Sequence, residues 1–311
     1  MAHISIVIPV FNEQAVLPTL VGRLRAVFDA VPEHEWRACF VDDGSQDGSA
    51  AIIEDLIRAD ARFSAVVLSR NFGHQSALTA GIAQVASADA VVTMDADLQD
   101  PPELIPALVK AWEHGAEIVL AVRRSRQERG IRRLGFELFH RLFWRLTDHP
   151  IEPNTGTFGL LARPAVDAFV QLPEQHRFFP GLRAWVGFTQ GRVEYDRLDR
   201  VAGPPAQTFR RLLRYALDGI FSFSRLPLRL LTYTGLVTAL VGFSIGAFFA
   251  VRRIVGSEIA PTGFTTIVTV VLLLGGIQLI GIGVIGEYLG RVYDEVKRRP
   301  PYIVRRVIGR T

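Results

Sequence analysis

Two aspartates one residue apart, Asp95 and Asp97, flank Ala96 at the end of the apolar run AVVTMD. Just past a strand, such a pair can hold a divalent cation through one or both carboxylates. Mg2+ accepts carboxylate, water and phosphate oxygens together, and Mn2+ takes similar ligands. A cation bridging a diphosphate neutralises the charge that builds as a nucleoside diphosphate leaves. Acidic pairs in turns are common, so this triplet counts through its company. Asp42-Asp43-Gly44-Ser45 follows another apolar run. There one carboxylate can accept hydrogen bonds from a base or ribose, Gly44 permits a tight turn, and Ser45 or Asp47 can cap the next helix. Glu13, after Pro9-Val10-Phe11-Asn12, has the same two readings. Arg123 and Arg124 open a basic segment with Arg126, Arg129, Arg132 and Arg133 that can grip phosphate. A solvated charged face accounts for at least half of these arginines.

These residues need a frame, and the apolar pattern predicts one. ISIVIPV, ACFVDD, FSAVVLS, AVVTMD and EIVLAV have strand length and are rich in β-branched residues. Helical spacing fills Ala15–Ala30, Ser49–Ala59, Gln75–Ala86 and Pro102–Trp112. Alternation of this kind predicts a mostly parallel α/β sheet with helices on both faces, whose ligands gather at the carboxyl ends of the strands. FNE, DDGSQDGS and DADLQD all fall at such ends.

The remainder of the chain reads differently. Hydrophobic residues make up 49% of the 311, and much of the excess lies after Leu226. Leu230–Val251 and Ile259–Gly286 carry no charge and run to about 22 and 28 residues, where about 20 cross the hydrocarbon core. Two transmembrane helices are expected. Before them Phe209–Ser224 is amphipathic, which suits a helix lying in the membrane interface. Lys and Arg are far denser after the second stretch than between the two, so the positive-inside rule puts the C-terminus and the first domain in the cytoplasm. No signal peptide is visible, and the single cysteine, Cys39, fits a reducing compartment. The net charge of +4 is concentrated in arginine clusters beside the spans. Membrane lipid headgroups or a phosphorylated substrate explain them better than nucleic acid, which is not expected as a partner. The domains expected are 1–205, catalytic and cytoplasmic; 206–227, an amphipathic juxtamembrane helix; 228–290, two spans; and 291–311, a basic cytoplasmic tail.

VIPVFNE, FVDDGSQDGS, LSRNFGHQSALTAGI, TMDADLQDPPELIP and EYLGRVYDEVKRRPPYIV together resemble glycosyltransferase family 2. More closely, they look like its bacterial polyprenyl-phosphate branch, relatives of dolichyl-phosphate mannose synthase. The resemblance implies a GT-A fold and an inverting, metal-dependent transfer from a nucleotide-sugar, a UDP-linked hexose by analogy, to a polyprenyl phosphate such as undecaprenyl phosphate. It implies a multi-pass protein of the cell inner membrane using Mg2+ or Mn2+, and a homo-oligomer is expected. Carried over by position, Pro9, Phe11, Glu13, Val41 and Asp43 contact the nucleotide. Asp95, Ala96 and Asp97 meet the diphosphate and metal, with Gln99 as a further ligand. Arg123 meets the phosphates, Arg132 or Arg133 the acceptor phosphate, and Arg200 matches another family arginine.

The chain departs from relatives in three places. Asn154 stands where an Asp is frequent, Ala206 follows Pro205 where Ser-Lys is common, and Ala162 replaces an Asp. Two other readings compete. A processive polysaccharide synthase would carry Gln-x-x-Arg-Trp, but Gln175 and Arg183-Ala184-Trp185 are wrongly spaced for it. A non-catalytic membrane-associated binding subunit has little use for an intact Asp95/Asp97 pair.

Overall fold

The computed structural model describes residues 1–124, 152, 154–175, 177–196, 226–255 and 264–310. The expected Arg132, Arg133 and Arg200 sites and the amphipathic helix of 206–227 up to residue 225 lie outside them.

Strand β1, His3–Val10, is buried along nearly its whole length, which is why its sequence is an unbroken apolar run. It pairs in parallel with β2, Glu35–Asp42, and with β4, Ala90–Thr93, while β2 pairs in parallel with β3, Phe63–Leu68. Helix α1, Leu17–Ala30, buries Leu17, Leu20, Val21, Leu24, Val27 and Phe28, an i, i+3, i+4 stripe, on one face of this sheet. Each such side chain contributes about 1.5–3 kcal/mol when fully buried. Helix α2, Ser49–Ala59, and α4, Ile105–Glu113, share that face. The other face is covered by α3, His74–Gln84, α5, Arg163–Val170, and α6, Phe179–Trp185.

The α/β sheet with helices on both faces is therefore present, but it is mixed rather than mostly parallel. Beyond β4 lie β6, Thr155–Ala162, antiparallel to β4, then β5, Ile118–Arg123, antiparallel to β6, then β7, Gln190–Tyr195, parallel to β5. The final strand β8, Val304–Ile308, runs antiparallel to β3 at the opposite edge. Its place in the sheet alters the reading of 291–311 as a tail. Residues up to Lys297 continue a helix, and β8 folds back onto the first domain.

Close packing of α3 on the sheet depends on Gly81. A β-carbon there would sit 2.3 Å from Val7 Cγ1 and 2.7 Å from Val41 Cγ2. Gly81→Ala adds about 1 kcal/mol of helix propensity, but overpacking costs roughly 1–3 kcal/mol. The variant should unfold at lower temperature than the parent in a thermal melt. An unchanged or higher midpoint would show that the sheet yields at this point.

Helices α7, Leu226–Ile254, and α8, Phe264–Lys297, follow. Among the described residues, one segment is long and apolar enough to cross a membrane, Leu273–Lys297 within α8, and Leu230–Ile245 in α7 is a shorter apolar stretch. Large apolar side chains stand exposed along both, including Leu236, Leu240, Phe243, Val271, Leu279 and Ile282. A soluble protein rarely exposes so continuous an apolar surface, so a covering medium is required.

Candidate active site

The carboxyl ends of β1, β2, β3 and β4 converge on a cavity of about 260 Å3, lined by Pro9, Phe11, Glu13, Asp43, Asn71, Gly73, His74, Asp95, Ala96 and Asp97 among others. Seven of the residues expected from sequence thus meet in one place. The loops that carry them are laced together. Ser45 Oγ accepts the Asn12 N–H at 3.1 Å, Asn12 Oδ1 accepts that of Gln46 at 2.8 Å, and Ser49 Oγ accepts that of Glu13 at 2.9 Å. Asp47 takes the N–H groups of Gln14 and Ser49, so it ties the first loop to the start of α2. Gly44 sits at φ +71°, and a β-carbon there would meet the Arg70 and Asn71 backbone at 2.8 Å. Only glycine fits that turn.

Asp42 and Asp43 divide the work between turn and cavity wall. Asp42 Oδ1 accepts the Ser45 N–H at 2.9 Å and closes its own turn. Asp43 accepts from Phe72 at 2.7 Å and from Gly73 at 2.9 Å, which fixes the segment ahead of His74. Burial pushes its pKa upward against these two hydrogen bonds. Each carboxylate oxygen has a second lone pair, so this anchoring leaves it able to accept from a ligand.

Asp95 is the electrostatic centre. Its Oδ1 is 2.8 Å from His74 Nε2 and accepts the Thr157 hydroxyl at 3.0 Å. Burial opposes ionisation, but the His74 charge and hydrogen bond, then Thr157, then Arg123, hold its pKa at about 2. It is therefore a carboxylate throughout the physiological range. His74 is shifted upward: burial disfavours its charge, and the Asp95 carboxylate more than offsets that. Asp97 accepts the Gln99 N–H at 3.1 Å, with Leu98 in the left-handed region at φ 60°. No group of three or more His, Cys, Asp or Glu residues suited to a metal occurs among the described residues. The donor set offered is two carboxylates on an open cavity, which fits Mg2+ or Mn2+ completed by substrate phosphate and water rather than an all-protein cage.

Three expected residues lie elsewhere. Val41 is fully buried and packs toward α3, so its side chain is core and not cavity wall. Gln99 is not among the cavity's lining residues, and its recorded part is the backbone bond to Asp97. Arg123 is also absent from the lining, although its charge reaches Asp95. Its Nε donates to Tyr195 Oη at 3.1 Å, that hydroxyl donates to the fully buried Asp100, and the guanidinium lies 3.8 Å from the same carboxylate. Burial and the Asp100 carboxylate hold the Tyr195 phenol far above its ordinary range. Gly156 makes room, since a β-carbon there would come within 2.6 Å of the guanidinium. Asn154 adopts φ 59° at the entry to β6, and its carbonyl accepts the Arg123 N–H at 3.1 Å. That is a conformation asparagine tolerates well.

His74 and Thr157 were missed as site residues. His74 stands inside the LSRNFGHQSALTAGI stretch directly after a glycine, which was the available signal.

A family model described as Glycosyl transferase family 2 matches residues 5–169, and one described as GtrB C-terminal hairpin matches 226–292. An uncharacterized glycosyltransferase of Synechocystis sp. is 44% identical, over 99% of this chain and 96% of its own. The prophage bactoprenol glucosyl transferase homolog of Escherichia coli is 41% identical, over 98% of this chain and 99% of its own. The bactoprenol glucosyl transferase of Shigella phage SfV is 41% identical, over 97% and 98%.

Proposed function

The chain belongs to glycosyl transferase family 2, and we propose that it transfers a hexose from a nucleotide-sugar to a polyprenyl phosphate at the cytoplasmic face of a membrane. The observation that carries the reading is the ionised Asp95 beside Asp97 on a cavity at the strand ends, with Phe11 and Glu13 opposite. Relatives named for bactoprenol, a polyprenyl carrier, support the acceptor class, and their glucosyl label supports glucose as the sugar.

In this account Pro9, Phe11, Glu13 and Asp43 hold the nucleoside, and Asp95 and Asp97 face the diphosphate. Asp95 and Asp97 would hold a divalent ion, which would supply charge neutralisation for the departing diphosphate. His74 and Thr157 fix the rotamer of Asp95. The acceptor's phosphate oxygen attacks the anomeric carbon opposite the leaving group, so the configuration inverts. Arg132 and Arg133 are assigned to the acceptor phosphate, because a guanidinium fork suits a phosphate monoester. Arg132→Ala with Arg133→Ala should raise the KM for lipid phosphate far more than that for the donor. Equal effects on both would place these arginines on headgroups instead.

No protein base is required. A phosphate monoester has a second pKa near 6 and at neutral pH already carries an anionic oxygen. A hydroxyl acceptor would instead need a base worth roughly 10²- to 10⁴-fold in rate. Asn154→Asp should therefore change kcat by less than about tenfold. A hundredfold gain would show that a base is missing from the parent.

Two membrane spans fit the same picture. Strand β8 shares a sheet with β1–β4, so the chain ends on the side where its first domain lies. An even number of crossings by α7 and α8 satisfies that condition, and a single crossing violates it. Screening nucleotide-sugars against undecaprenyl phosphate, read as lipid-linked product by mass spectrometry, tests the donor assignment. A UDP-hexose is expected to be the best donor, and preference for a GDP-sugar would overturn that assignment.

A further inference from the structure

The segment after the last helix makes contacts that a membrane anchor does not need. β8 lies against β3, and Ile303 continues the pairing by accepting the Ser69 N–H at 2.9 Å. β3 runs directly into the rim of the cavity, where Asn71 and Gly73 line the wall and Gly73 leads into His74. Tyr302 packs on the core beneath α3, and Ile308 on the core of the other face. The strand is stopped by Gly309 at φ +80°, where a β-carbon would come within 3.0 Å of the Phe63 carbonyl oxygen.

The end of α8 grips the domain at a second point. Glu295 Oε1 accepts the Gln175 N–H at 2.7 Å. Four residues on, the Phe179 N–H is bonded to Gln75 Oε1 at 3.0 Å, and Gln75 is the neighbour of His74 in α3. The two lines of contact therefore reach the residues on either side of His74, which holds Asp95.

We propose that the chain from Glu295 to Gly309 is a positioning element for the transfer reaction, holding the cavity rim and the end of the membrane helix in one fixed relation. It rests on the function assigned above and adds two residues that seat the strand on the domain, Tyr302 ahead of β8 and Gly309 at the amino end of β3, to those lining the cavity. The physical need is clear in an enzyme whose acceptor is confined to the headgroup plane. The cavity must meet that plane at a set depth, and a displacement of about 1 Å can cost 10²-fold in rate.

The test uses the full-length protein in lipid vesicles with Val67→Cys and Arg306→Cys, whose α-carbons face each other across the β3–β8 ladder. Directly opposed positions of an antiparallel pair suit a disulfide. Cys39 will not compete, because it is buried and its thiol is pushed up to about 12. Oxidation should give a cross-link within one chain, with transfer close to that of the reduced protein. Adding Gly309→Val should lower transfer under reducing conditions by roughly tenfold or more, and oxidation should restore it. Should that variant fail to fold, Tyr302→Ala on the same cysteine background gives the same comparison. Unchanged transfer in the reduced variant, a loss that oxidation leaves unrepaired, or a cross-link joining two chains would each overturn the proposal. A parent protein that transfers no sugar overturns the assigned reaction and this role with it. An active parent with an indifferent Gly309→Val variant overturns this role alone.

Discussion

Asp97→Asn is expected to lower transfer by at least two to three orders of magnitude while leaving the fold intact, the scale seen when one preorganised electrostatic contact to the transition state is lost. The substitution keeps the shape of the side chain. An amide oxygen can still accept the Gln99 N–H that now goes to Asp97 Oδ1. What disappears is the charge of one of the two carboxylates proposed to face the diphosphate. Asp95 is held ionised by His74 and Thr157, and Asp97 supplies the second carboxylate of the pair. Losing that charge weakens the ion most where the leaving diphosphate needs it. Thermal melting of the variant should match the parent, and the rate loss should not be repaired by more donor. Substantial transfer by Asp97→Asn, or full parental activity in excess chelator, would remove the metal from the account.

Arg123→Ala is expected to destabilise the domain by about 3–5 kcal/mol, the scale for removing one partner of a buried ion pair. Asp100 is fully buried, and its partners include the Tyr195 hydroxyl and, at 3.8 Å, the Arg123 guanidinium. Removing the guanidinium takes a cation from beside that carboxylate and a donor from Tyr195. The double variant Arg123→Ala, Asp100→Asn should be more stable than Arg123→Ala alone, since the buried negative charge is gone along with its cation. The donor KM of the folded single variant should change little if Arg123 acts through Tyr195 and Asp100 alone. A large rise in donor KM with an unchanged melting temperature would return Arg123 to the phosphates, where family resemblance placed it.

Local signals and long-range partners explain what could be read from the sequence. The five strands from β1 to β5 were legible because both faces of each are buried, which forces long apolar runs. β6 was not, because its TGTFGLLA sequence contains glycines set by distant neighbours: Gly156 by the Arg123 guanidinium and Gly159 by the Val119 carbonyl at 2.5 Å. β7 and β8 are polar or basic edge strands with little apolar alternation. β8 forms because β3 offers it a free edge, a fact about the sheet and not about residues 304–308. The cavity residues sit in loops at strand ends, and topology alone predicts their convergence. Thr157 and His74 join them through bonds spanning 62 and 21 residues, which no window along the chain reveals. The contacts of Arg123 were hidden in the same way. A strand-end arginine suggested phosphate, whereas its hydroxyl partner lies 72 residues away.

The central claim is that sugar passes to a phosphate oxygen of a polyprenyl carrier with inversion. The most direct measurement is to incubate the full-length protein in vesicles containing undecaprenyl phosphate with α-linked UDP-glucose and Mg2+ or Mn2+, then isolate the lipid product. The account predicts one glucose per lipid, joined through a phosphodiester in the β configuration. Free glucose alone, a growing polysaccharide, or an α-linked product would contradict it.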